Sequence, residues 1–280
     1  MKKMLLRGLA ALLLALPGGL LLAQRNPSAL PGPLLIVGGG GTPPVALERA
    51  LERAGGPQAR VVVLPQASGR EGRGASSVAM WREAGASAVE LLDQRPPEEC
   101  AALLARADLV WMPGGSQTRL MGELAELGLV EALRAAHERG ALVGGTSAGA
   151  AVMSAVMIRS APEEKGVRAG ATPLGEGLGL LPGAVIDQHF VQRGRDHRLV
   201  EVVLTHPERV GIGIDERTAI LVGADGAFEV LGESVVLVYD ARAARIEPSE
   251  PGGNLAATGL RYDVLRAGMR SEVLVSEDER

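Results

Sequence analysis

The 280-residue chain has one cysteine, Cys100. A single thiol excludes an internal disulfide and a metal site built from cysteines. Aromatic residues are almost absent, with two each of Trp, Tyr and Phe, so the core must be built from Ala, Val, Leu and Ile. Positive charge is not in excess: 29 Lys and Arg stand against 33 Asp and Glu, a formal net charge of −4. An acidic balance argues against nucleic acid and anionic membrane as partners. Histidines number four, His137, His189, His197 and His206, which narrows the choice of a general base. No metal or organic cofactor is expected. What is abundant is glycine, at 38 residues, roughly double the usual share of about 7%.

The first residues read as an address rather than as fold. Lys2, Lys3 and Arg7 precede an apolar run at 8–22, and Leu21-Leu22-Ala23 before Gln24 has the form of a cleavage site. The run is short for a membrane span of ~20 residues and is interrupted by Pro17-Gly18-Gly19. The expectation is a signal peptide at 1–23, a linker at 24–33 and a single α/β domain at 34–280. The mature protein would be secreted or periplasmic, without stable membrane association. Without the three leader cations, 26 basic residues face 33 acidic ones.

Continuous apolar runs at 34–37, 60–65, 88–92, 108–112 and 141–143 alternate with helical periodicity at 45–53, 76–84, 97–106, 117–124 and 129–139. Unbroken apolar strands separated by helices predict a mostly parallel sheet with helices on both faces. In such sheets ligands bind beyond the carboxyl ends of the strands. Gly38-Gly39-Gly40-Gly41, Gly114-Gly115 and Gly144-Gly145 all fall at those ends. Residues 161–179 read as a long loop. Runs at 184–187, 210–215, 219–222, 227–231 and 235–239 predict antiparallel C-terminal strands that complete the sheet, and the tail from 276 is expected to be disordered.

Gly145-Thr146-Ser147-Ala148-Gly149 fits a nucleophile elbow: a strand, a sharp turn with serine at its apex, then a helix. A serine nucleophile needs a base, a group that orients the base, and donors for the oxyanion. His189 follows a buried-type strand and should emerge at the rim. His137 reads as a surface or capping residue, His206 ends a helix, and His197 lies in a charged helical run. If the acid lies between serine and histidine in the chain, the candidates are Glu163, Glu164 and Glu176, with Glu164 preferred and Glu163 second. The oxyanion donors would be the N–H groups of Ala148 and of Gly115 or Gly114. Arg193, Arg195 and Arg198 suggest carboxylate recognition. Asp187 would hold a cationic substrate group, and Gln117 would orient the substrate. Asp215-Glu216 ends another strand and either reaches the same rim or stabilises its turn.

Three motifs together resemble the cyanophycinase family, which is related to dipeptidase E: Gly144-Gly145-Thr146-Ser147-Ala148-Gly149-Ala150, Asp187-Gln188-His189-Phe190 with Arg193, Arg195 and Arg198, and Gly211-Ile212-Gly213-Ile214-Asp215-Glu216. The likeness runs from about residue 34 to 239. It implies a three-layer class I glutamine-amidotransferase-like (flavodoxin-like) fold and a serine exopeptidase. Such an enzyme cleaves cyanophycin, a poly-aspartate bearing arginine on each side chain, into β-aspartyl-arginine. It implies Ser147 as nucleophile, His189 as base and Glu164 as acid. Gln117, Asp187, Gln188, Arg193, Arg195 and Arg198 would shape the substrate pocket. The family's Gly-Gly-Asp-Gln stands here as Gly114-Gly115-Ser116-Gln117, a departure that bears on specificity. The expected partner is a peptide or cyanophycin, with a homodimer as a further expectation. The competing readings are an aspartyl dipeptidase, an α/β-hydrolase esterase, which lacks the required C-terminal histidine here, and a peptide-binding protein without activity.

Overall fold

Leu34–Val37 holds four apolar residues without a polar break, and all four are buried in strand β1. Such a run offers no solvent face and belongs inside a sheet covered on both sides. The chain then alternates through α1 (Pro44–Arg53), β2 (Arg60–Val63), α2 (Ala75–Glu83), β3 (Ala88–Leu91), α3 (Pro97–Arg106), β4 (Leu109–Met112), α4 (Gln117–Glu126), α5 (Val130–Glu138) and β5 (Leu142–Thr146). Proline opens both α1 and α3, where its fixed φ and missing N–H suit a first helical turn. The short helix α6 (Ala148–Ala151) follows β5. Next come β6 (Val156–Ile158), β7 (Leu174–Glu176), β8 (Ala184–Gln188) and α7 (Asp196–Thr205). The remainder is strand: β9 (Val210–Ile214), β10 (Thr218–Val222), β11 (Phe228–Gly232), β12 (Val235–Asp240), β13 (Arg245–Glu247), β14 (Ala256–Thr258), β15 (Arg261–Arg266) and β16 (Arg270–Ser271).

This computed structural model describes residues 30–247 and 249–274. The expected leader, residues 24–29 of the expected linker and the tail from 276 lie outside the described residues. The described end of that linker is docked: the Leu30 N–H donates to the Ala224 carbonyl at 2.8 Å. Among the described residues no helix is long and apolar enough to cross a membrane.

The main sheet has the order β16-β11-β10-β1-β5-β4-β2-β3. Its five N-terminal strands pair in parallel, and β10, β11 and β16 add antiparallel strands beside β1. Helices α1 and α2 cover one face, packing Leu47, Leu51 and Trp81 against Val37, Val61 and Trp111. Helices α3, α4 and α5 cover the other, packing Leu104, Leu120 and Leu133 with Ile36, Val110 and Val143. The architecture is the expected three-layer, flavodoxin-like α/β fold.

The C-terminal strands depart from the expectation. They do not all complete one sheet: β8, β9, β12 and β15 form a separate four-stranded sheet, with β8 and β9 parallel around α7. The sequence Val210-Gly211-Ile212-Gly213-Ile214 explains the separation. Ile212 and Ile214 join the core beneath the main sheet. The glycine face lets α7 and Phe190 close in, since a Cβ on Gly213 would lie 2.5 Å from the Phe190 ring and one on Gly211 2.7 Å from Val203.

The expected loop at 161–179 is shorter than the sequence suggests, because β6 and β7 pair antiparallel and enclose residues 159–173. Buried Glu201 on α7 holds that segment by accepting the N–H groups of Gly170 and Thr172.

Candidate active site

Strand β5 ends at Thr146, and the next residue, Ser147, has φ 55° and ψ −109°. A non-glycine residue pays strain energy in that region, so neighbouring contacts must hold it there. The Ser147 N–H donates to the Val37 carbonyl at 3.0 Å, and its carbonyl accepts the N–H groups of Ala150 and Ala151. Gly145 and Gly149 allow strand and helix to cross closely, since a Cβ on Gly145 would lie 2.6 Å from the Gly149 backbone. The elbow read from the sequence is present.

His189 leaves β8 with φ 50°, its N–H held by the Gly38 carbonyl at 2.7 Å. Its Nε2 lies 3.0 Å from Ser147 Oγ and its Nδ1 lies 2.6 Å from Glu216 Oε1. A carboxylate accepts only, so Nδ1 carries the proton and Nε2 presents its lone pair to the serine hydroxyl. The imidazole is mostly enclosed, with 12% side-chain exposure. The loop after β1 closes over the pair: a Cβ on Gly39 would strike the His189 ring, and one on Gly40 would lie 2.7 Å from the Glu216 carboxylate.

The expected acid is corrected by this geometry. Glu164 is exposed and pairs with Arg168 at 3.2 Å, and Glu163 and Glu176 are exposed as well. Gly170 and Thr172 are held by Glu201 on α7, while the β9–β10 turn brings Glu216 to the imidazole. Along the chain, the groups joined in this line come in the order Ser147, His189, Glu216. Of the two sequence readings of Asp215-Glu216, at the rim or in its turn, the structure has Glu216 against the imidazole.

Gly114 borders Ser147, for a Cβ there would lie 3.3 Å from Ser147 Cβ. Gly115 has φ 151° and faces the Ala67 carbonyl closely. The Ser116 N–H donates to Ala67 at 2.9 Å, and Ser116 Oγ caps α4 by accepting the Arg119 N–H at 3.2 Å. Neither the Gly115 nor the Ala148 N–H has an acceptor among the described residues. Gln117 Nε2 donates to the carbonyls of Ile158 and Arg159 at 3.0 and 2.8 Å, which ties the start of α4 to the end of β6.

The arginine cluster is arranged differently from the expectation. Asp187 is 1% exposed and binds Arg198 through Nε at 2.6 Å and through a second guanidinium nitrogen. Arg195 donates to Asp187, to the Gln188 carbonyl and to Gln188 Oε1. A buried carboxylate needs such partners, so Asp187 is already neutralised and is not free for a cationic substrate group. Arg198, itself buried, is not free for a substrate carboxylate. Burial lowers the Arg195 pKa to about 10, with neighbouring Asp187 acting in the opposite sense. Arg193 is exposed and carries no ion pair among the described residues.

His137 is buried rather than at the surface, its Nε2–H donating to the Gly32 carbonyl at 2.8 Å. His206 lies near Glu208 at 3.8 Å. Cys100 is buried, and burial pushes its thiol pKa up. Among the described residues no group of three or more His, Cys, Asp or Glu is placed to hold a metal ion.

Comparison with known proteins adds a second line. The profile of peptidase family S51 matches residues 34–230. The cyanophycinase of Trichormus variabilis is 36% identical over 263 residues, covering 89% of this chain and 88% of that protein. The cyanophycinase of a Nostoc species is 35% identical over the same length and shares. Among solved structures, a peptidase from an acI-B1 Actinobacterium superposes with a TM-score of 0.61 at 21% identity, covering 87% of this chain and 97% of that one. That last likeness bears on the fold alone.

Proposed function

The chain belongs to peptidase family S51 and is a serine-type peptidase, and from that premise we propose that Ser147, His189 and Glu216 form its catalytic triad. We propose further that it cleaves cyanophycin or related β-aspartyl peptides. The observation that carries the triad is the unbroken line of hydrogen bonds from Ser147 Oγ through the imidazole to Glu216. The substrate class rests on the similarity to cyanophycinases along most of the chain.

The chemistry follows from that line. As Ser147 Oγ attacks the scissile carbonyl carbon, its proton moves to His189 Nε2. Glu216 stabilises the imidazolium and keeps the ring oriented. The oxyanion is received by the N–H groups of Ala148 and Gly115, each such donor contributing about 10²–10³ in rate. The imidazolium then gives its proton to the departing amine, leaving an acyl-enzyme on Oγ. Water, deprotonated by His189, attacks the acyl carbon, and the proton returns to Oγ as the acid product leaves. With cyanophycin the product is β-aspartyl-arginine. Arg193, Gln117 and the Gln188–Arg195 pair shape the substrate side of this rim.

One observation favours a second substrate reading. Ser116 replaces the acidic residue of the family motif and is used as a helix cap, so a shorter aspartyl dipeptide is the competing substrate. The test is product release by purified mature chain from cyanophycin beside α- and β-aspartyl dipeptides. Ser147→Ala should abolish release while the thermal unfolding midpoint is kept. Full activity in that variant would overturn the reading. Residues 1–23 are proposed as a cleaved export signal, which the intact mass of the protein recovered outside the cytoplasm tests directly.

A further inference from the structure

Asp215 is 2% exposed and has no ion-pair partner among the described residues. A carboxylate removed from water without a cation must be held by several donors. Asp215 has three. Oδ1 accepts the Val191 N–H at 3.0 Å, while Oδ2 accepts Gln192 Nε2 at 3.1 Å and Ser234 Oγ at 2.6 Å. Two of these donors belong to the loop that begins at His189. The third comes from the β11–β12 turn. The other amide atom of Gln192 is also committed, since Oε1 accepts the Glu216 backbone N–H at 3.2 Å. One side chain therefore spans the end of β9, gripping a carboxylate on one residue and the backbone of the next.

The placement matters because neither side of the His189–Glu216 contact sits in regular structure. His189 and Arg217 both have φ 50°, so the acid is flanked by strained backbone on its own turn and faces strained backbone on the other. The triad needs its partners held within about 0.5 Å and 10–20° of the working geometry, and a displacement of ~1 Å can cost about 10²-fold in rate. From this geometry we infer that Gln192 and Asp215 are positioning residues that lock the Glu216 turn onto the His189 loop. They act on the substrate only through the triad, so the inference rests on the triad reading above.

Gln192 is exposed, so its replacement spares the core and separates positioning from folding. Gln192→Ala should lower kcat on cyanophycin about tenfold to a hundredfold, with KM and the thermal midpoint little changed. Gln192→Glu keeps the acceptor for the Glu216 N–H but sets a second carboxylate against Asp215, and it should lose at least as much. The pair Gln192→Glu with Asp215→Asn restores every bond with the roles exchanged. The new amide donates to the new carboxylate and to Ser234 Oγ, and its oxygen still accepts from Val191. That double variant should recover kcat several-fold over Gln192→Glu alone. Wild-type kcat in Gln192→Ala, or a double variant no better than the single, would overturn the inference. If instead Glu216→Gln itself keeps full activity, the triad reading has failed and the positioning role falls with it.

Discussion

Nδ1 of His189 lies 2.6 Å from Oε1 of Glu216, a residue twenty-seven positions further along the chain. That contact joins two sheets. His189 follows a strand of the four-stranded sheet, whereas Glu216 sits in the turn by which the chain passes from that sheet to the main one. The loop after β1 binds both sides, since the Gly38 carbonyl accepts from His189 and the Gly39 carbonyl accepts the Arg217 N–H at 2.8 Å. The geometry of the proposed triad is therefore fixed by the junction of the two sheets rather than by any single element.

The glycine loop should be intolerant of side chains. Gly39 has φ 101°, and a Cβ there would strike the imidazole. Gly39→Ala should lower kcat by about 10²-fold through displacement of the base, measured as initial rate on cyanophycin, while the far-UV circular dichroism is unchanged.

Gly115 should behave similarly for a different reason. A Cβ there would press on the Ala67 backbone and move the N–H proposed as an oxyanion donor. Gly115→Ala should reduce kcat by about 10²–10³-fold with a smaller effect on KM. Steady-state kinetics separate the two constants.

The arginines should divide into two classes. Arg198→Met leaves Asp187 buried with a weakened partner set and should destabilise the fold by about 3–5 kcal/mol, read from urea unfolding. Arg193→Ala should leave the unfolding midpoint in place and raise KM instead.

His137 supplies a pH signature of stability. Burial lowers its folded-state pKa below the ordinary value of 6.5. Below pH 6.5 the unfolded chain therefore binds the proton more readily than the folded one, so stability rises with pH through that window. This contribution is complete above about pH 6.5 and is lost as pH falls through the lowered folded value. His137→Gln can still donate to the Gly32 carbonyl but does not titrate, so its melting temperature should fall less between pH 7 and pH 5 than that of the wild type.

The parallel half of the fold was legible because its strands are unbroken apolar runs, which have one physical solution. The placement of Ser147 and His189 side by side was legible for a related reason, each standing at the end of such a run. Glu216 was visible at a strand end but passed over, because the expected order of serine, acid and histidine restricted the candidates to residues before His189. Here β9 crosses beside β8 and delivers Glu216 after the histidine. The second sheet was hidden as well, for Gly211 and Gly213 mark a close approach to α7 and Phe190 only once those partners are known. The buried Asp187–Arg198 pair could not be told from a substrate site by residue type, since both uses call for the same charges.

Glu216, not Glu164, is the proposed third member of the triad. The most direct test compares the initial rates of β-aspartyl-arginine release from cyanophycin by the wild type, Glu216→Gln and Glu164→Gln. A loss on the order of 10³–10⁴-fold in Glu216→Gln, with Glu164→Gln close to the wild type, is the expected result. Near-wild-type rates in Glu216→Gln, or a comparable loss in Glu164→Gln alone, would contradict it.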